Sequence, residues 1–339
     1  MPGAGAGRVT VALAGDTMLG RRVAVAIERD GPASLFAPEV VELMREADLR
    51  VLNLECCISE RGEPWPDPAK PFFFRAPPPA VDALALLGVD CVTLANNHAL
   101  DFGREALLDT LELLAAAGIA AVGAGAGLEQ ARAPAVLEAG GLRLAVLGAT
   151  DHPRAYAAGP ETPGVAYADL EHGLPGWLRD AVAAARGAAD AVLVTPHWGP
   201  NMRSAPLPSV LAAAEGLLAA GATLVAGHSA HVFHGVRGPV LFDLGDFVDD
   251  YAADPALRND LGLLFLVTLA GARPERLEAV PLKLDFCRTR LAEGDDAASI
   301  RNRFRSACAR LGTEAAEAGG RLVVDLGSAG KGPGADPRP

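Results

Sequence analysis

The 339-residue chain carries 30 Lys and Arg against 42 Asp and Glu, a formal net charge of −12. That balance argues against a general binder of nucleic acid or of an anionic membrane surface. Half of the residues are apolar and 21% are charged, ample for a buried core and too apolar for a disordered chain.

At about 100–200 residues per domain the length allows two domains. The expectation is one main domain over residues 1–272, an extension packed on it over 273–326, and a disordered Gly/Pro-rich tail over 327–339. Five cysteines, at 56, 57, 91, 287 and 308, lack CxxC spacing and fit a reduced compartment. The first residues lack the regions of a signal peptide, and the longest uncharged apolar stretch falls short of the roughly 18–20 residues of a membrane span. A soluble, cytoplasmic protein is expected, with its oligomeric state open.

In chain order, strands are expected at residues 9–14, 51–54, 91–94, 142–148, 191–195, 224–226, 240–243 and 263–269. Helices are expected at about 38–47, 78–87, 104–117, 176–186 and 207–220, most of them closed by a glycine. This alternation predicts an α/β protein built as a two-sheet sandwich flanked by helices. Residues 61–79 hold seven prolines and read as an irregular surface excursion of the kind that often carries function. From residue 273 a strand-like run precedes a helix at about 297–311.

The chemistry gathers where apolar strands end: Asp16, Asn53 with Glu55, Asn96-Asn97-His98, His197-Trp198-Gly199, and Gly227-His228-Ser229-Ala230-His231. In open α/β sheets ligands bind at strand carboxyl ends. Five of the seven histidines (98, 197, 228, 231 and 234) lie in these segments. Histidines mixed with Asp, Glu and Asn oxygens suit one or two divalent ions such as Mn, Zn or Fe.

The ordered motifs AGDTMLGR (14–21), NLE (53–55), LANNHALDFG (94–103), HWG (197–199), GHSAHVFHG (227–235) and LFDLGDFVDDY (241–251) resemble those of the CapA capsule and poly-γ-glutamate biosynthesis family. That family is placed in the calcineurin-like metallophosphatase superfamily, and the resemblance covers residues 9 to about 270. It implies a four-layer αββα metallophosphatase fold with Asp16 as a first-metal ligand and Glu55 as the bridging carboxylate. Asn97, His197 and His228 would serve the second metal and His231 the first, with His98 as the proton-transfer group. Met18 stands where a ligating histidine is usual, so the first metal loses one ligand.

Other residues have two readings. Asp101 could orient His98 or cap the next helix. Arg21 and Arg22 could meet an anionic substrate or form a solvated helix face. Asp246, Asp249 and Asp250 could belong to the site or to an exposed loop. Cys56 and Cys57 are expected to be buried and unreactive.

Three functions follow. The CapA resemblance implies epimerisation of a peptide or poly-γ-glutamate-type substrate, with a metal polarising a carbonyl, and the histidines in surplus of the ligand set make His98 and His234 the candidates to exchange the Cα proton. The superfamily implies phosphoester hydrolysis, with His98 protonating the leaving oxygen. A binding module without activity is the third. The epimerase is preferred narrowly, with a peptide or small anionic molecule as substrate.

Overall fold

A computed structural model of the chain describes residues 7–327, so the tail expected to be disordered lies outside the described residues apart from Gly327. The first sheet runs in the order Ala316–Ala318, Arg321–Asp325, Arg273–Asp285, Leu261–Ala270, Arg8–Thr17, Leu49–Leu54, Cys91–Thr93, Ala120–Val122. Its N-terminal strand is the seam, antiparallel to Leu261–Ala270 and parallel to Leu49–Leu54. The second sheet runs Val236–Arg237, Val240–Leu241, Leu224–Ala226, Ala191–His197, Leu142–Thr150, Ala135–Ala139.

Strand alternation assigns each face. Val9, Val11, Leu13 and Val51 pack against Leu142, Leu144, Val146 and Leu193, which fills the space between the sheets. Their neighbours Ala12, Ala14, Leu52 and Leu54 face the other way, onto helices Pro38–Arg45, Ala80–Leu86 and Gly103–Ala116. Ala145, Leu147, Val192 and Val194 cover helices Gly176–Ala188 and Pro208–Ala220 on the far side. The mixed α/β sandwich with helices on both outer faces agrees with the sequence expectation.

One departure has a physical cause. Helix Arg21–Asp30, open in the sequence only as one reading of Arg21 and Arg22, is not among the expected helices, and its β-branched Val23, Val25 and Ile27 weaken helix propensity. Burial of Val23 and Ile27, four residues apart on one face, holds it in place. The chain from residue 273 extends the first sheet, since Arg273–Asp285 pairs along the length of Leu261–Ala270. Among the described residues, no helix is long and apolar enough to cross a membrane.

One close approach sets up the site. The short strand Asp246–Val248 runs parallel to the end of the N-terminal strand, with Asp16 in register with Asp246. The backbones come so near that a Cβ on Gly15 would stand 1.8 Å from the carbonyl oxygen of Gly245. Gly15→Ala is therefore expected to push these strands apart, costing about 1–3 kcal/mol as overpacking and weakening any ion bound between the two aspartates. Thermal unfolding and metal content of the variant check both effects.

Candidate metal centre

Parallel strands deliver the polar residues to one edge. Asp16 ends the first strand beside Asn53, with which it is in register. His197 ends its own strand and bridges to His228, so the second sheet brings its histidines to the same edge. The turn carrying His228 and His231 is fastened by Asp243, whose two oxygens accept backbone N–H groups from Ala230 and Gly245 at 2.8 Å. His231 itself sits at φ 59, a left-handed conformation uncommon outside glycine.

A buried network links the pieces. Asn96 donates to Asn53 Oδ1 at 2.9 Å, and Asn53 donates to Asp16 Oδ1 at 2.8 Å. The same Asp16 oxygen lies 3.0 Å from His228 Nδ1, and Asn53 Nδ2 lies 3.5 Å from His197 Nδ1. His231 Nδ1 lies 2.8 Å from Asp246 Oδ1, 3.4 Å from Asp16 Oδ2 and 4.0 Å from Glu55 Oε2. One ligand-capable atom from each of Asp16, Glu55, His231 and Asp246 falls within 4.8 Å of the other three.

Burial and charge set the chemistry of this cluster. Asp16 Oδ2, both Glu55 oxygens, Asp246 Oδ2, Asn97 Oδ1 and His197 Nε2 are buried without a hydrogen-bond partner. Burial pushes Glu55 and Asp246 well above the usual carboxylate range, and the charge of Asp16 raises both further, with Asp249 adding to Asp246. Burial also acts to raise Asp16, but the hydrogen bond and charge of His228, with His197 and His231, outweigh it and hold this carboxyl low. For His197, burial drives the imidazole well below its ordinary value despite Asp16. Three carboxylates packed this way with mostly imidazole neighbours would be costly without a cation. Oxygen donors with neutral imidazoles are a fitting set for a divalent transition metal.

The sequence leaves Asp246 undecided between site and exposed loop; the structure buries it inside the acid cluster. Its signal was the second aspartate of LFDLGDF, directly after a glycine that allows close approach. Met18 is packed in the core, its sulfur accepting the Gly20 N–H at 3.1 Å, and Asp246 supplies a fourth donor to the cluster it does not serve. His152, set apart from the site by its sequence position, has its ring 5.3 Å from that of His197.

His98 borders this centre. Its Nδ1 is 2.6 Å from Asp101 Oδ2, and its ring stacks on Phe74 at 3.9 Å. Asp101 also accepts the Phe74 N–H at 2.6 Å and the Tyr156 hydroxyl at 3.2 Å, and Lys70 Nζ lies 2.9 Å from it. It therefore orients His98, while helix Gly103–Ala116 has no side-chain cap. Burial lowers the His98 imidazole to about 4, with Asp101 opposing and Lys70 assisting. Phe74 and Lys70 come from the proline-rich excursion, which thus builds one wall of the site.

A cavity of about 330 Å³ is lined by His98, His231, Arg21, Phe72, Phe74 and Tyr251, among others. His234 lies elsewhere. Its Nε2 donates to the Arg203 carbonyl at 2.7 Å, beside Trp198, Leu207 and Phe242, so the structure does not bring it to the cavity with His98. Cys56 and Cys57 are buried, as expected, and burial pushes the Cys57 thiol up to about 12.

The family model described as bacterial capsule synthesis protein PGA_cap matches residues 10–251, a span that holds every residue of this centre. A Mycobacterium tuberculosis protein named probable polyglutamine synthesis accessory protein is 34% identical over 283 residues, 78% of this chain and 73% of the relative. The PGA biosynthesis protein CapA of Bacillus subtilis is 31% identical over 71% of this chain and 63% of its own length. For the capsule biosynthesis protein CapA of Bacillus anthracis the values are 29%, 72% and 60%. The chain thus spans less than two thirds of either Bacillus protein. The matched span runs from the first strand through LFDLGDFVDDY, and with these relatives it places the chain in the CapA, or PGA_cap, family of bacterial capsule and polyglutamate synthesis proteins.

Proposed function

We propose that this chain is a metal-dependent enzyme with a calcineurin-like metallophosphatase fold that acts on a peptide or poly-γ-glutamate-type chain, with epimerisation at Cα as its reaction. The observation that carries this reading is the shared cavity: His98, held by Asp101, and His231, part of the acid cluster, line the same space. Asp16, Glu55, His231 and Asp246 would hold one ion, and Asn97, His197 and His228 offer donors for a second. Bound there, a divalent cation supplies Lewis acidity toward a substrate carbonyl.

The residues of the chain do the rest. Asp101 fixes the His98 ring through Nδ1, which leaves Nε2 to take or return a proton. Phe74 stacks on that ring and keeps water from one of its faces. The relatives' names, which concern capsule, PGA and polyglutamine synthesis, support a glutamyl-polymer substrate, which we take to be γ-linked.

One observation favours the second reading, phosphoester hydrolysis. Epimerisation needs proton transfer on two faces of one carbon, and His234 does not line the cavity, whereas hydrolysis needs a single acid. Incubating the metal-loaded protein with a γ-glutamyl peptide in D₂O decides between them. Deuterium at Cα with D-glutamate in the product is expected. Phosphodiester turnover without Cα deuterium would reverse the order, and neither activity would favour a binding module.

A further inference from the structure

Arg21 occupies a position that neither the metal cluster nor His98 explains. It opens helix Arg21–Asp30 at φ 52, in the left-handed region that residues other than glycine seldom adopt. Its side chain lies over a floor of aromatic rings. Its guanidinium carbon lies 5.6 Å from the centroids of Phe72 and of Phe74 and 6.0 Å from Tyr251. All of these residues line the cavity that holds His98.

The guanidinium is held on one side only. Its Nε lies 3.2 Å from Asp250 Oδ2, and Asp250 is buried and also accepts the Arg22 N–H at 3.0 Å. Asp250 is the one carboxylate paired with Arg21 among the described residues, and neither Nη group makes a hydrogen bond there. A guanidinium paired by charge with Asp250 and laid over aromatic rings keeps its N–H groups available as a planar fork, the geometry that takes a carboxylate through two hydrogen bonds. Arg22 is exposed and does not line the cavity.

We propose that Arg21 is the carboxylate-binding residue of the substrate site, receiving a free carboxylate of the residue seated against Phe74. This rests on the reading of the cavity as a substrate site and adds the substrate class: a chain with a carboxylate close to the carbon that reacts. In a γ-linked glutamyl chain the free α-carboxylate is bonded directly to Cα. Phe74 lies against both the Arg21 guanidinium and the His98 ring, and all three line the one cavity in which such a residue would sit. Residues linked through the α-carboxylate and bearing amide side chains would leave the fork empty.

The test is calorimetric binding of a γ-linked triglutamate and of the same peptide with its carboxylates converted to carboxamides, using the intact chain, Arg21→Gln and Arg21→Lys. The wild-type protein is expected to prefer the acid by about tenfold or more, as for loss of a charged hydrogen-bond pair. Arg21→Gln should abolish that preference, and Arg21→Lys, which keeps charge without the fork, should retain part of it. No preference in the wild type, or an undiminished one in Arg21→Gln, overturns the proposal. The wild-type comparison alone decides if a variant fails to fold. Arg21-dependent acid preference without Cα exchange in D₂O would uphold the carboxylate site and reject the epimerase; exchange without acid preference would do the opposite.

Discussion

Glu55→Ala is expected to strip most of the divalent metal from the purified protein. Glu55 contributes two buried oxygens with no hydrogen-bond partner, so removing it takes away donors that have no other structural work. The loss should exceed the roughly 10–100-fold in affinity that follows removal of an outer-shell partner. His228→Ala and Asp246→Asn should act in the same direction, whereas His234→Gln should leave the metal bound because that ring sits beside Arg203. Elemental analysis of the four variants checks the assignment, and full metal retention in Glu55→Ala would refute it. Chelation gives the converse. With burial raising Glu55 and Asp246, these two groups bind more protons in the metal-free fold than in the unfolded chain, so their contribution to its stability falls as pH rises above the ordinary carboxylate range. Asp16, held low by His228, keeps its proton off throughout that window. The melting-temperature difference between metal-loaded and chelated protein should therefore grow from about pH 5 to about pH 8.

The strands were legible in the sequence because short aliphatic runs bounded by turn residues have few other uses, and the edge carrying the site was legible because five of the eight runs led into Asp, Glu, Asn or His. What was hidden depends on long-range register. Asp246 and Asp243 are three residues apart in one motif, yet one faces the metal-competent cluster while the other ties down the His228–His231 turn. Only the pairing of Asp246 with Asp16 across more than two hundred residues separates those roles. His234 shows the reverse case: closeness in sequence to His231 suggested a shared site, but the turn sends the two rings into different surroundings. Helix Arg21–Asp30 stayed hidden for a related reason, since its stability comes from a buried Val23–Ile27 face that propensity does not report.

His98→Asn is expected to lower turnover by about 10²-fold or more, the usual effect of losing a positioned proton-transfer group, while metal content and melting temperature stay near those of the wild type. His98 contributes no atom to the acid cluster and holds one ring nitrogen against Asp101, so its loss leaves the donors of the centre in place. Asp101 would be a poorer probe, because it also satisfies the Phe74 N–H, the Tyr156 hydroxyl and Lys70, and its removal would strand those groups in the interior. The proline-rich wall distinguishes function from bracing. If His98 only supported Phe74, the asparagine variant would lose stability and activity together, and Phe74→Leu would reproduce the defect. If His98 moves the proton, Phe74→Leu should mainly raise KM by opening one side of the cavity, and His98→Asn should depress kcat with KM little changed. Rate, melting temperature and metal content measured on both variants separate the two, and an active His98→Asn enzyme with normal metal would remove His98 from the chemistry, whichever reaction the chain performs.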